Sequence, residues 1–231
     1  GVDGAVFTHV SNVFGYILPV KEMAAECRAA GVPFVLDAAQ SAGSLPVDLG
    51  ALGAEFIAMP GHKGLLGPQG TGLLLCGDPG KPLLFGGTGT LSREKTMPED
   101  LPERLEAGTV NVPGAAGLAA GIRLVRGMTP EKIFARGHGQ TMACGRALEE
   151  MGYRVFTGPH QAMTLSFQGK ADCEEIAEAL GSRGIAVRAG LHCAPLAHES
   201  AGTLEKGTVR ISFGHDASPA QTNALLRALG A

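Results

Sequence analysis

The residues most suggestive of chemistry follow two neighbouring apolar runs. Lys63 stands in the glycine-rich stretch MPGHKGLLGPQGTG, residues 59–72, directly after the run EFIAM. Asp37 and Gln40 follow the preceding run, in VLDAAQ. Because open α/β sheets bind ligands at the carboxyl ends of their strands, we expect the lysine, the acid and the amide to share one rim. Pyridoxal phosphate is a cofactor that needs all three: a lysine for the Schiff base, an acid for the pyridinium nitrogen and a polar group for the phenolic oxygen.

The elements that must position these residues alternate along the first half of the chain. Short apolar runs bounded by Gly and Pro, namely AVFTHV, PFVLD, EFIAM and TGLLLC, predict four buried strands. An amphipathic stretch over residues 20–30 predicts a helix between the first two strands, and a small-residue helix is expected over residues 113–125. Such a pattern is typical of a covered, largely parallel sheet.

A different pattern follows residue 127. Thr129 as N-cap and Pro130 in the first turn predict a helix that runs to about Met151. The runs AMTLSF, GIAVR and TVRISF predict strands. A helix over residues 172–183 should begin with an aspartate cap, and the last helix should begin with the capping box SPAQ. This order favours a small α+β domain.

Length and composition set the limits of the interpretation. The 231 residues suffice for one large α/β domain or two modest ones, and the pattern places the two domains at residues 1–127 and 128–231. With 45% hydrophobic and 18% charged residues, the chain can bury a sizeable core. The net charge of −3, without a run of lysines or arginines, disfavours nucleic acid and anionic membranes as partners. The sequence has no uninterrupted apolar run of membrane-spanning length.

The five cysteines indicate free thiols rather than a disulfide framework. Their number is odd and no pair has CxxC spacing, which also disfavours a zinc site and suggests a reducing, cytoplasmic environment. His192, Cys193 and His198 match no standard metal template, so we expect no metal. The remaining cysteines lie in helix or strand patterns and are interpreted as core or surface filler: Cys27, Cys76, Cys144 and Cys173.

Four separated motifs carry a family resemblance. LDAAQSAG, GHKGLLGPQGTG, RLEAGTVNVPG and VRAGLHCAPLAH occur in the order found in the cysteine desulfurase branch of the class V aminotransferases, and the chain resembles that branch from THVSNVFG to GTVRISFG. The resemblance implies the α/β large domain of a pyridoxal-phosphate-dependent transferase followed by a small α+β domain. It also implies conversion of L-cysteine to L-alanine, with transfer of the sulfur to an enzyme cysteine as a persulfide.

Cofactor roles are carried over position by position. Lys63 corresponds to the lysine that forms the Schiff base and later moves the substrate's Cα proton. Asp37 keeps the pyridine nitrogen protonated. Gln40 and Asn12 match positions near the phenolic oxygen, and Asn12 also reaches the substrate carboxylate.

Two further residues correspond to phosphate contacts. His62 matches one such contact, and Thr109 matches a residue that reaches the phosphate of the other subunit in a homodimer. Pro60 departs from the family pattern, because relatives usually carry Ser or Thr there and proline offers neither a hydroxyl nor an N–H group. One phosphate contact is therefore expected to be lost.

Substrate binding and sulfur transfer are assigned to the C-terminal motifs. Arg210 matches the arginine that holds the substrate carboxylate, for which a planar guanidinium is suited. Cys193 matches the nucleophile that accepts the sulfur. Arg188, which we also expect at the substrate, and His192 would favour the Cys193 thiolate by their charge.

Alternatives remain open at this point. Relatives have a longer segment before the position of Gly1, so the large domain is expected to be incomplete at its N-terminus, in a fragment or in a natural truncation. Another class V enzyme, such as a selenocysteine lyase or an aminotransferase, would use the same lysine. A non-catalytic remnant would bind a partner through its unfinished sheet. For the enzyme, the expected partners are L-cysteine or selenocysteine, a second subunit and a sulfur-acceptor protein.

Overall fold

The first half of the chain forms one four-stranded sheet. A computed structural model describes residues 1–91 and 93–230. The strands lie in the order β1-β2-β3-β4, and they are β1 (Ala5–Thr8), β2 (Phe34–Asp37), β3 (Phe56–Pro60) and β4 (Gly72–Cys76). β1, β2 and β3 are parallel, whereas β4 pairs antiparallel with β3. The predicted α/β class with a largely parallel sheet is confirmed.

Three helices accompany this sheet, and they are α1 (Val20–Ala29), α2 (Leu49–Leu52) and α3 (Val112–Met128). Alternate strand residues point to opposite faces. On one face, Leu36 and Ile57 are fully buried in a core that includes Leu118 of α3. On the other face, Val6 is 72% exposed and Leu74 is 54% exposed. The carboxyl rim thus borders one covered face and one open face. The predictions of a covered sheet and of a buried fourth strand are therefore wrong, since the first three residues of β4 are exposed.

The second half of the chain forms an antiparallel sheet in the order β5-β6-β8-β7. Its strands are β5 (Arg154–Phe156), β6 (Thr164–Gln168), β7 (Arg188–Gly190) and β8 (Thr208–Ser212). Its helices are α4 (Pro130–Glu150), α5 (Cys173–Gly181), α6 (Pro195–Ser200) and α7 (Pro219–Leu229). Leu148, Phe167 and Leu180 lie in its core. The α+β prediction is confirmed, and the domain boundary at residues 127 and 128 stays a prediction. No helix among the described residues is both long and apolar enough to cross a membrane.

Some of the local predictions are confirmed and others are not. The Asp172 side chain caps α5 by accepting from the Glu174 N–H at 2.9 Å, as predicted, and the capping box at Ser218 is also confirmed. Thr129 is the N-cap residue of α4 and Pro130 its first residue, as predicted, but Thr129 has φ +63° between two abutting helices and its side chain makes no cap hydrogen bond. The strand predicted for GIAVR is displaced, since β7 begins only at Arg188. Ile185 and Val187 instead pack against the core before the strand begins.

A loop over residues 9–18 joins the two halves beyond the end of β1. The Gln161 side chain donates to the Phe14 carbonyl at 2.7 Å, and the Ser166 hydroxyl donates to the Val13 carbonyl at 2.7 Å. Gly15 has φ +72°, and a Cβ on it would lie 1.9 Å from the Thr164 carbonyl oxygen. The loop therefore lies directly against β6, which fixes the position of Asn12 between the two sheets.

Candidate active site

The glycines around Lys63 allow two stretches of backbone to touch. A Cβ on Gly64 would lie 2.2 Å from the Ala42 carbonyl oxygen, and a Cβ on Gly43, at φ +88°, would lie 2.1 Å from the Gly64 carbonyl oxygen. Only glycine permits this approach. The turn that carries Lys63 is consequently held against the turn that follows β2, while the lysine side chain itself is exposed.

Lys63 and Gln40 line one cavity of about 210 Å³ between the two halves of the chain. Its other wall comes from residues 162–164 and 212–215, and the latter lie at the end of β8 and in the loop that follows it. Sequence reasoning did not assign a role to that loop. Its place directly after the predicted strand TVRISF, which carries Arg210, was the only available signal.

Asp37 occupies the same rim but faces a different opening. It is the last residue of β2, it is exposed, and its Oδ1 accepts from the Ala39 N–H at 2.8 Å. Its side chain lines an open cleft of about 720 Å³, along the exposed face of the sheet, together with Ala58 and Leu74. The structure thus brings Lys63 and Gln40 together in one cavity and places Asp37 at the strand end beside them.

The two residues expected at the phosphate lie in exposed loops. His62 precedes Lys63 in the turn between β3 and β4, and its side chain is exposed. Thr109 is also exposed and lies shortly before α3. Pro60 ends β3 opposite Gly72 of β4. Their role as phosphate ligands stays a prediction.

A second group of predicted residues meets around Asn12. The Arg210 Nη1 atom donates to the Asn12 carbonyl at 2.9 Å. The Asn12 side chain in turn donates to the His192 carbonyl at 2.7 Å. Asn12 therefore ties the loop after β1 both to β8 and to the turn that carries Cys193.

Cys193 stands on a left-handed turn between β7 and α6. His192 and Cys193 have φ values of +52° and +60°, which is unusual for two consecutive residues other than glycine. Backbone strain of this kind is concentrated at functional sites. Cys193 is exposed, and Arg188 Nη2 donates to its sulfur at 3.7 Å.

Two arginines provide the positive charge beside this thiol. Arg188 of β7 lies directly opposite Arg210 of β8 in the antiparallel register, a placement of like charges that costs stability unless an anion offsets it. Burial lowers the pKa of Arg210, the Arg188 cation lowers it further, and Cys193 raises it. Among the described residues, the buried Nε atom of Arg210 has no hydrogen-bond partner. The pair therefore concentrates positive charge beside Cys193 and leaves a buried N–H donor of Arg210 without a partner in the described part of the chain.

His192 does not add to that charge. The residue is 3% exposed, and burial, followed by the Arg210 cation, lowers its pKa to about 4. It is neutral at pH 7, so the prediction that His192 favours the thiolate by its charge is wrong. The ring Nε2 instead lies 3.1 Å from the Thr208 carbonyl oxygen, a contact that depends on the tertiary fold and that sequence reasoning missed.

The other four cysteines contribute to packing, as expected. Cys144 and Cys173 are buried, whereas Cys27 and Cys76 are half-buried. Burial raises the pKa of Cys144 to about 12 and also raises that of Cys173, so both stay protonated thiols. In the part of the chain that the structure describes, no group of three His, Cys, Asp or Glu residues is arranged to hold a metal ion.

Comparison with known families shows which family this chain belongs to. The model of the aminotransferase class V family matches residues 3–225. The chain belongs to this family. Its lysine turn, acid and arginine pair therefore lie in a class V framework rather than in an unrelated α/β sheet.

Within the family, the chain is similar to proteins named as cysteine desulfurases. A probable cysteine desulfurase of Methanothermobacter thermautotrophicus is 37% identical over 213 residues, which are 85% of this chain and 53% of that protein. The apo structure of a cysteine desulfurase from Thermococcus onnurineus NA1 matches with a TM-score of 0.90 and 33% identity, over 99% of this chain and 59% of that one. A cysteine desulfurase structure from Escherichia coli matches with a TM-score of 0.89 and 28% identity, over 97% and 57%. The chain thus spans little more than half the length of these relatives.

Proposed function

We propose that the protein carrying this chain is a cysteine desulfurase, which converts L-cysteine to L-alanine and receives the sulfur on Cys193 as a persulfide. The observation that carries the proposal is the exposed Cys193 thiol, held 3.7 Å from Arg188 on a left-handed turn. An aminotransferase needs no such thiol. The names of the relatives agree with this activity.

The residues at the rim fit pyridoxal phosphate. An exposed lysine shares a cavity with Gln40, and an exposed carboxylate, that of Asp37, ends the neighbouring strand. When bound, the cofactor supplies an electron sink for carbanion chemistry at the amino acid. We assign Lys63 to its covalent attachment, Asp37 to its pyridinium nitrogen, and the other proposed contacts to Gln40, Asn12, His62 and Thr109.

The arginine pair suits the substrate carboxylate. Arg210 is held by its bond to the Asn12 carbonyl, and its buried Nε atom lacks a partner among the described residues. A carboxylate there would accept hydrogen bonds from the planar guanidinium and would offset the repulsion between Arg188 and Arg210. With the carboxylate held, Lys63 is assigned to the removal of the substrate's Cα proton.

Sulfur transfer needs no outside oxidant. The Cys193 thiolate attacks the substrate sulfur and forms the new S–S bond, while the bond between the substrate's Cβ and its sulfur breaks. The electron pair of the broken bond stays with the carbon, which takes up a proton and becomes the methyl group of alanine. The carbon is reduced and the transferred sulfur is oxidised to the sulfane level, so atoms and electrons balance.

A homodimer and a sulfur acceptor complete the proposal. The Gly108 N–H donates to the Gly87 carbonyl at 3.2 Å, which brings the segment with exposed Leu84 and Phe85 close to Thr109, and Val112 is exposed as well. Such a surface suits contact with a second subunit, whose phosphate site Thr109 would reach. A sulfur-acceptor protein would then take the persulfide from exposed Cys193. The free state of all five cysteines favours a reducing compartment, which we propose to be the cytoplasm.

The experiment compares matched variants of the native protein. Lys63→Ala should abolish the absorbance of bound cofactor, whereas Lys21→Ala, at an exposed position on α1, should not. Cys193→Ala should keep that absorbance but lose alanine formation from L-cysteine by orders of magnitude, since no positioned thiolate replaces it. If Cys193→Ala consumed L-cysteine at the wild-type rate, the protein would be a β-eliminating enzyme. If selenocysteine were the sole substrate, it would be a selenocysteine lyase. An unchanged spectrum in Lys63→Ala would contradict the assignment of Lys63 to pyridoxal phosphate, whereas a wild-type protein that binds no cofactor would support the non-catalytic remnant.

A further inference from the structure

We infer that the buried imidazole of His192 is a positioning residue, which anchors the turn that carries Cys193 through a hydrogen bond to Thr208. The inference deepens the proposed function and rests on it for its catalytic consequence. The hydrogen bond between His192 and Thr208 involves only residues of this chain. Its effect on the Cys193 thiol can therefore be measured without cofactor or substrate.

The contact with Thr208 defines the tautomer of the ring. Nε2 lies 3.1 Å from both the carbonyl oxygen and the hydroxyl oxygen of Thr208. The hydroxyl could donate to an unprotonated Nε2, but the carbonyl oxygen can only accept a hydrogen bond, so we assign the proton to Nε2. Nδ1 then carries the lone pair, and this buried atom has no partner among the described residues. The pKa of about 4 keeps the ring in this neutral form at pH 7.

The turn needs an anchor because it is strained. A left-handed conformation costs roughly 1–2 kcal/mol per residue for amino acids other than glycine, and His192 and Cys193 both adopt it. Two hydrogen bonds hold His192, one from the Asn12 side chain to its carbonyl and one from its ring to Thr208. The ring also packs at 5.6 Å from the ring of His198, which is fully buried.

What the anchor maintains is the contact between Cys193 and Arg188. Both Arg188 and Thr208 belong to the paired strands β7 and β8, so a ring bonded to Thr208 ties the cysteine turn to the strand pair that carries the guanidinium. Without that bond, relief of the backbone strain would move the sulfur away from Arg188. The thiol would remain exposed but would lose its fixed cation.

The test measures how Cys193 reacts with a charged and an uncharged reagent. The ratio of the iodoacetate rate to the iodoacetamide rate, read at the Cys193 peptide by mass spectrometry in the native protein, reports the positive charge beside the sulfur. His192→Asn keeps a residue tolerant of the left-handed turn but cannot reach Thr208. We expect it to lower the ratio about fivefold, the attraction of a single cation about 4 Å away in water. His192→Gln, with an amide donor at the same reach, should restore most of it.

Two controls separate anchoring from a loss of fold. Arg188→Gln should lower the ratio by the same factor, and combining it with His192→Asn should lower it no further. In the wild-type protein, nitrogen NMR should find the His192 proton on Nε2. An unchanged ratio in folded His192→Asn, or a proton on Nδ1, would overturn the inference.

The proposed function is tested independently by turnover. His192→Asn should lower kcat for L-cysteine with little change in KM, because Arg210 still holds the substrate. If the wild-type protein releases no alanine while the reagent ratio behaves as expected, the desulfurase fails and the anchor stands. If alanine is released and the ratio does not respond, the anchor fails alone.

Discussion

The neutral, buried state of His192 predicts a specific loss of stability in acid. Burial lowers its pKa to about 4 in the folded protein, from an ordinary value of 6.5. Between these values the unfolded chain binds a proton that the folded chain does not, so stability is full above pH 6.5 and falls as the pH decreases toward 4. At about 1.4 kcal/mol per pH unit, His192 should account for a loss of about 3 kcal/mol.

The assay is urea denaturation at pH 7 and at pH 4, with the free energy of unfolding extrapolated to water. In His192→Asn, the loss between the two pH values should be about 3 kcal/mol smaller than in the wild-type protein. His9 and His198, whose pKa values burial also lowers, will leave some acid sensitivity in the variant. His160→Asn, at an exposed histidine, is the matched control. Equal pH dependence in His192→Asn and wild type would refute the reasoning.

The remaining predictions concern the lysine turn, the substrate site and the subunit contact. Gly43→Ala should destabilise the fold by more than about 2 kcal/mol, since its Cβ would meet the Gly64 carbonyl at φ +88°, whereas Gly139→Ala, in open space on α4, should be neutral or stabilising in the same thermal melt. Arg210→Lys should raise KM for L-cysteine about tenfold or more through loss of the planar pairing, and an unchanged KM would remove Arg210 from the carboxylate. Leu84→Asp, at a side chain that is 69% exposed, should dissociate the proposed dimer in sedimentation without lowering the melting temperature. A dimer of unchanged affinity would assign the interface elsewhere.

Elements whose sequence pattern and packing agree could be predicted. The apolar runs that end at Asp37 and at Pro60 form parallel strands as expected, because their alternate residues fill one core and their ends are marked by polar or glycine-rich turns. Asp172 caps its helix as expected, because the cap depends only on neighbouring residues. The short helix α6 was missed, since six residues provide too little periodicity.

The sequence predicted the residue types of the site, but not the charge of His192 or its contact with Thr208. Cys193 and Arg188 were paired from their closeness in the sequence, and the 3.7 Å contact agrees with that pairing. His192 is equally close in sequence, yet its ring is buried against Thr208 and is neutral. The burial of His192 results from the pairing of β7 with β8 and from the position of α6. The spacing of residues in the sequence does not indicate either.

Sulfur capture by Cys193 is the central claim, and one measurement tests it most directly. The native protein would be incubated with pyridoxal phosphate and L-cysteine, digested without reductant and analysed by mass spectrometry, with alanine measured in parallel. The account predicts one added sulfur atom on the Cys193 peptide, removable by thiol, with alanine formed in equal amount in the first turnover. Pyruvate and free sulfide, with no sulfur added at Cys193, would contradict it.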